Sequence, residues 1–395
     1  MPRNKTLRIL VCALLFNFQF PIFNLSAQGT DSCRLQLAVE NHHFFRNNEF
    51  GGEHLDGYTL PGFYLRPRLE WQVEPRVKLS LGVHWLHYWG ARRYPSAMGY
   101  VTRPLPEASD TATAVHLLPW VQARVDFSPT ASLILGSLEN RNGHGLPMPL
   151  YERELQYAAD PEAGVQLLLQ RPWLEADLWM NWHEFIFAHS DHQERFYIGL
   201  STRFKWHPHN PSLELYLPLY ALACHHGGES LTVYLRNHHQ LNCAGGLGAT
   251  YRQGDFSIGL EMLVYGYLQR KGSIHPFDRG WGLSPTLNVS YREGSLSLGY
   301  WHGEGFVPIV GSTLYSNVST DTEGLTFDRN QLLTLRAEYR WKEFRACQVS
   351  LEGDLYHYLP WTGQRTGYGV VERGGRTMYA FGIHVKLNPT LPLLR

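Results

Sequence analysis

The stretch Phe196-Tyr197-Ile198-Gly199-Leu200-Ser201-Thr202-Arg203-Phe204-Lys205-Trp206 decides the fold class. Phe196, Ile198, Leu200, Thr202, Phe204 and Trp206 form an oily set. Tyr197, Gly199, Ser201, Arg203 and Lys205, which alternate with them, form a mostly polar and charged one. Successive strand side chains point to opposite faces, so a period of two describes a strand with one oily and one wet side. Val77, Leu79, Leu81, Val83 and Trp85 repeat the pattern against Lys78, Ser80, Gly82 and His84. Leu333, Leu335, Ala337, Tyr339 and Trp341 repeat it against Thr334, Arg336, Glu338 and Arg340, and Val115 to Phe127 and Tyr379 to Leu387 follow suit. No long segment carries a helical period.

Working outward, the connections between these strands alternate in length. Tight turns fall near 74–76, 128–130, 171–172, 208–211, 253–254, 293–294 and 343–344. Longer polar loops fall between them, at 46–57, 90–112, 141–160, 188–194, 223–238, 269–279, 303–330 and 359–376. The strands run roughly 10 to 15 residues, beyond the usual length in soluble sheets. Counting them gives about 16, with a range of roughly 14 to 18 and both ends on the short-turn side; an even strand number, alternating faces and loops sorted by end describe an all-β transmembrane antiparallel up-and-down barrel with short periplasmic turns. A sheet that spans lipid must close, because an open edge leaves backbone groups unpaired. Trp85, Trp89, Trp206, Trp341 and Tyr339 sit towards the ends of the oily faces, where interfacial aromatic girdles belong.

Composition agrees. The 395 residues carry 35 Lys+Arg against 35 Asp+Glu, which gives no support to nucleic-acid binding. Charged residues make up 18% and aromatics 13%, the balance of a chain with two solvents on its two faces. Beyond residue 23 no run approaches the roughly 20 apolar residues of a membrane helix, which excludes a helical transporter. Arg3, Lys5 and Arg8 precede an apolar stretch from Ile9 to Phe23, and Leu25-Ser26-Ala27 ends on a small residue: residues 1–27 read as a signal peptide, and 28–395 as a single barrel domain.

The chain resembles Gram-negative outer-membrane porin-like barrels of a poorly characterised family. The resemblance rests on the pattern above and on Gly136-Ser137-Leu138-Glu139-Asn140-Arg141-Asn142-Gly143-His144-Gly145 with Pro149-Leu150-Tyr151-Glu152. It implies the cell outer membrane, contact with its lipid, delivery by the barrel-assembly machinery and association into homo-oligomers. One departure is that the chain runs on past Leu387 as Asn-Pro-Thr-Leu-Pro-Leu-Leu-Arg, where such barrels often end on an aromatic.

A barrel of this size leaves an aqueous lumen. Its lining, read from the alternation, carries basic ladders at Arg66 and Arg68, at Arg203 and Lys205, and at Arg336 and Arg340. Acids sit at Glu70, at Glu175 and Asp177, at Glu261, and at Glu352 and Asp354. Opposed rows of charge set a transverse field that orients small polar solutes. The 141–160 loop, with Arg141, His144, Glu152, Arg153 and Glu154 among shaping Gly and Pro, is the candidate constriction.

Cysteine and histidine cluster at one outer hairpin: Cys224, His225, His226, His238, His239 and Cys243. In an oxidising compartment a Cys224–Cys243 disulfide is the simplest account; the spacings match no established zinc pattern. Cys33 and Cys347 form a weaker second pair. His87 and His357 are expected to face lipid near the outer rim, an unusual place for imidazole, but no partner serine is identifiable and there is no G-x-S-x-G. The sequence therefore reads as a channel for passive or mildly selective diffusion, with no enzymatic activity, cofactor, metal or nucleic-acid partner. A non-conducting barrel whose outer loops bind glycan or protein is the alternative.

Overall fold

The computed structural model describes residues 34–89, 115–140, 142–186, 193–208, 210–227, 237–270, 274–341, 344 and 346–394. The expected signal segment 1–27, Cys33, the 90–112 loop and Arg141 lie outside the described residues. The strands are β1 (Arg34–Glu49), β2 (Tyr58–Glu74), β3 (Val77–Tyr88), β4 (Val115–Ser128), β5 (Ala131–Ser137), β6 (Ala163–Arg171), β7 (Leu174–Glu184), β8 (Glu194–Trp206), β9 (Leu213–Gly227) and β10 (His238–Gln253). They continue as β11 (Phe256–Arg270), β12 (Arg279–Tyr291), β13 (Gly294–Glu304), β14 (Leu325–Phe327), β15 (Asn330–Arg340), β16 (Cys347–Tyr358), β17 (Trp361–Arg365), β18 (Gly369–Arg373), β19 (Arg376–Leu387) and β20 (Thr390–Leu394).

Each long strand pairs antiparallel with its neighbours in the chain, and β19 returns to β1 in register from Asn41↔Leu387 to Glu49↔Tyr379. The result is a closed barrel of 16 strands. The departure after Leu387 resolves into a broken last strand. At Asn388-Pro389 the ladder to β1 loses a donor, because proline has no N–H, but the Pro389 carbonyl still accepts from Val39 N–H at 3.0 Å. Beyond it β20 continues down the same flank of β1, from Ala38↔Thr390 to Leu35↔Leu394. The short β14, β17 and β18 form a separate three-stranded sheet in the outer loops.

The two faces separate as the period of two requires. Leu81, Leu117 and Leu247 are 62%, 67% and 68% exposed, and Leu260, Val264, Leu298, Tyr379 and Phe381 are exposed with them. Apolar area on this scale over a closed wall is the lipid-contact face of an outer-membrane barrel. Trp85, Trp89, Trp206, Tyr339 and Trp341 are exposed on it too. The inward set, including Tyr64, Trp120, Trp179, Tyr216 and Trp301, is buried.

Candidate functional site

Two outer loops turn inward and fill the outer half of the lumen. Phe306, Val307, Ile309 and Leu314 of the 303–330 loop pack on Trp301, Leu332, Tyr356 and Tyr358 of the wall, together with Leu146, Leu150 and Tyr151 of the 141–160 loop. Burying loop backbone requires partners for every N–H and C=O, and buried asparagines supply many of them. Asn242 on β10 donates to Val307 O at 3.1 Å and accepts from Ile309 N–H at 2.7 Å. Asn317 donates to Gly303 O and Phe327 O and accepts from Phe306 N–H. The loops are zipped to each other by Glu152 N–H to Val310 O at 2.9 Å and Ser312 N–H to Met148 O at 2.8 Å. Asn317, Ser319 and Thr320 of the 303–330 loop thus serve as side-chain partners for backbone carbonyls.

The 141–160 loop is seated by a layered contact. Trp179 on β7 lies flat across Gly199 on β8, its register partner. A Cβ at 199 would stand 2.0 Å from the Trp179 ring, so only glycine admits it. The other face of that indole receives the His144 imidazole, stacked at 3.9 Å between centroids and 6° between planes. His144 and its neighbour Asn142 both take left-handed backbone, φ 56° and 51°, which turns the chain back into the lumen. Its two ring nitrogens meet Glu162 at 2.6 Å and Asp177 at 2.8 Å. Burial would lower the pKa of this imidazole, but the two carboxylates outweigh it and hold it up to about 9, so His144 is a buried cation rather than a base.

Deeper in the loop, Glu154 meets Arg46 of β1 at 2.8 Å and accepts from Asn48 and Tyr58. Arg46 also pairs with Glu352 and, at 2.9 Å, with Asp354. Arg153 reaches Asp354 at 3.2 Å, and Arg336 reaches Glu352 at 2.6 Å. Below the loop an inner cavity of about 500 Å³ opens, lined by Glu152, Arg153, Glu154, Glu261, Arg336, Arg340, Glu352 and Asp354 among other residues. Elsewhere on the inner wall Arg66 and Arg68 share Glu40, Arg68 meets Glu70 at 2.7 Å, and Lys205 pairs with Glu175. Arg203 reaches Glu214 at 3.2 Å and lies over the Tyr216 ring at 3.4 Å. The structure thus gathers the loop acids, Arg336, Glu352 and Asp354 into one network. Lys205 with Glu175, and Arg203 with Glu214, remain as pairs apart from it. Arg46, which joins loop to wall, was missed because it lies in Phe44-Phe45-Arg46-Asn47-Asn48, read as the start of a loop rather than as strand.

The outward rim holds different chemistry. His357 on β16 and Thr377 on β19 are register partners, and Nδ1 of the imidazole lies 2.8 Å from the threonine hydroxyl on the exposed face. Leu355 and Tyr379, exposed beside them, mark that face as lipid-facing. One strand further on, Thr59 donates to Asn47 at 2.6 Å and Asn47 donates to Glu49 at 2.6 Å, also exposed. Glu49 is the register partner of Tyr379. His87 instead sits among Phe63 and Trp89 rings at 5.9 and 5.3 Å. The hydroxyl partner sought for His357 is a threonine 20 residues away, found only through strand pairing.

The expected Cys224–Cys243 disulfide is not formed. Both sulfurs are free: Cys224 is buried and Cys243 is exposed. Cys224 stands opposite Gln240 and Cys243 opposite Ala221, an odd offset that puts the side chains on opposite faces of the sheet. Cys347 is free as well.

A family model described as lipid A 3'-O-deacylase-type matches residues 27–395. The chain belongs to the lipid A 3'-O-deacylase-type family. Its membership corrects the reading of the chain as a non-enzyme, since this family is named for an ester-cleaving activity. No curated protein matches the sequence. Among solved structures, this family member is similar to OmpT of Vibrio cholerae (trimer form) at 10% identity and a TM-score of 0.47, over 91% of this chain and 100% of that one. It is also similar to OccAB3 of Acinetobacter baumannii at 11% identity and a TM-score of 0.48, over 90% and 99% of the two chains. A third likeness is to opdK of Pseudomonas aeruginosa, at 11% and 0.46, over 90% and 98%. The protein is an outer-membrane barrel in contact with lipid.

Proposed function

We propose that this barrel is an acyl hydrolase that removes an ester-linked fatty acyl chain from a glycolipid of the outer leaflet, the activity for which its family is named. The observation that carries this reading is the His357–Thr377 pair on the lipid-facing rim. Threonine is a weak nucleophile until a base takes its proton. With His357 Nδ1 as base, the Thr377 oxygen attacks the acyl carbonyl and the proton passes to the imidazole. The sugar hydroxyl leaves with that proton, and water then releases the fatty acid from Thr377 by the same route in reverse order. A substrate that stays in the leaflet presents its ester at headgroup depth, where this pair sits, so it never enters the lumen.

The test is incubation of the refolded barrel with hexa-acylated lipid A in mixed micelles, followed by mass spectrometry. Loss of one acyl chain is expected, with Thr377→Val and His357→Gln each lowering the rate at least about 100-fold. An intact substrate after prolonged incubation with correctly folded wild-type protein, or full activity in Thr377→Val, would overturn the reading.

The charged inner cavity favours a second reading, a path for small polar solutes through the lumen that opens only when the 141–160 loop leaves its seat. Constriction by His144, Glu152, Arg153 and Glu154 belongs to that reading, as do the charge ladders as its lining. So does association into oligomers.

A further inference from the structure

We infer that the outer ends of β9 and β10 form a binding site for a divalent transition metal ion, with His226 and His238 as its ligands. The register sets these residues directly opposite one another, His226↔His238, on the inner face of the two strands. His226 Nδ1 stands 3.2 Å from His238 Nε2. With metal–imidazole bonds of about 2.0–2.1 Å, two donors on a tetrahedral or cis-octahedral ion stand roughly 2.9–3.4 Å apart. The observed spacing lies in that window, so both nitrogens can reach one cation by turning their rings, without moving the strands.

Two further observations favour this pair. Imidazole suits zinc, copper and nickel, and a pair on opposed strands of a closed barrel is held rigid by the ladder on both sides. His226 stands opposite Arg195 of β8, whose guanidinium pairs with Glu184 at 2.6 Å, so its charge at the site is partly offset. Among the described residues no third His, Cys, Asp or Glu joins the pair, so solvent would supply the ion's remaining positions. The second pair, His225↔His239, has its Nδ1 atoms 3.1 Å apart, but it lies on the outer face, where Phe196 stacks on His225 and Ile198, Leu241 and Leu268 surround it. A hydrated ion is costly to bring there.

The experiment is isothermal titration of the full, untagged, refolded barrel in detergent with zinc chloride, repeated with nickel sulfate. One ion per barrel is expected, at micromolar affinity and reversed by EDTA. His226→Ala plus His238→Ala should weaken binding at least about 10-fold, while His225→Ala plus His239→Ala leaves it unchanged. Heat-modifiability on gels establishes that both variants are folded. No saturable binding by wild-type protein, unchanged binding in the folded 226/238 variant, or loss confined to the 225/239 variant would each overturn the assignment.

Discussion

His144 shows how much one residue can decide. Its raised proton affinity means that the docked loop holds the imidazolium more tightly than the unfolded chain does. The stabilisation is therefore complete below its ordinary value of 6.5 and is lost as pH rises through about 9. Hydrogen-exchange protection factors across residues 142–158 should be high at pH 6 and markedly lower above pH 9; equal protection at both would show that Glu162 and Asp177 do not hold the loop by charge. Gly199 acts on the same seat from the other side. Gly199→Val must displace the Trp179 ring and with it the His144 stack. Overpacking of this kind costs about 1–3 kcal/mol, read as a lower thermal midpoint with a more protease-sensitive loop. Asn242→Leu would strip two buried backbone groups of their partner, at about 1–3 kcal/mol for each group left unsatisfied. A midpoint unchanged from wild type would mean that the 303–330 loop is held by apolar packing alone.

At the scale of elements, the last strand is the informative one. β19 closes the barrel on the outer part of β1, and β20 covers the inner part beyond Pro389. Truncation after Leu387 leaves Leu35 to Val39 without a partner on that flank. Unpaired strand edges are heavily penalised near lipid, so the truncated chain should insert into vesicles more slowly and unfold at lower temperature. Normal insertion and heat-modifiability would make β20 dispensable. Strand faces were legible from local alternation because a side chain's direction depends only on its parity. Strand ends were less legible: β1 runs on to Glu49, past the expected loop start at 46, because Arg46 and Asn48 are polar residues satisfied inside the lumen.

For the whole molecule, the question is whether the lumen conducts. The outer half is filled by two interlocked loops, and the charge ladders below them line a cavity of about 500 Å³. In planar bilayers the wild-type barrel should give no stable conductance steps, and removal of residues 143–157 should produce them. Persistent steps from wild-type protein would show that the loops leave the lumen, in favour of the solute path. Because the rim pair and the lumen lie on opposite faces of the wall, loss of conductance control should leave acyl release by His357 and Thr377 intact.

The fold was readable from the chain alone: a period of two, turns sorted short and long, and an even strand count are all local or additive features. The same alternation sorted strand residues into two faces, and the sequence singled out 141–160 among the loops but not 303–330, which packs beside it. What only the tertiary structure decided is which distant residues meet. Strand register brings Thr377 to His357, puts Cys224 and Cys243 on opposite faces, and sets His226 against His238. Arg46 finds Glu154, Glu352 and Asp354 only when the barrel closes and the loop folds inward. Alternation specifies a side chain's face, whereas its partner depends on the offset between strands, which no single strand encodes.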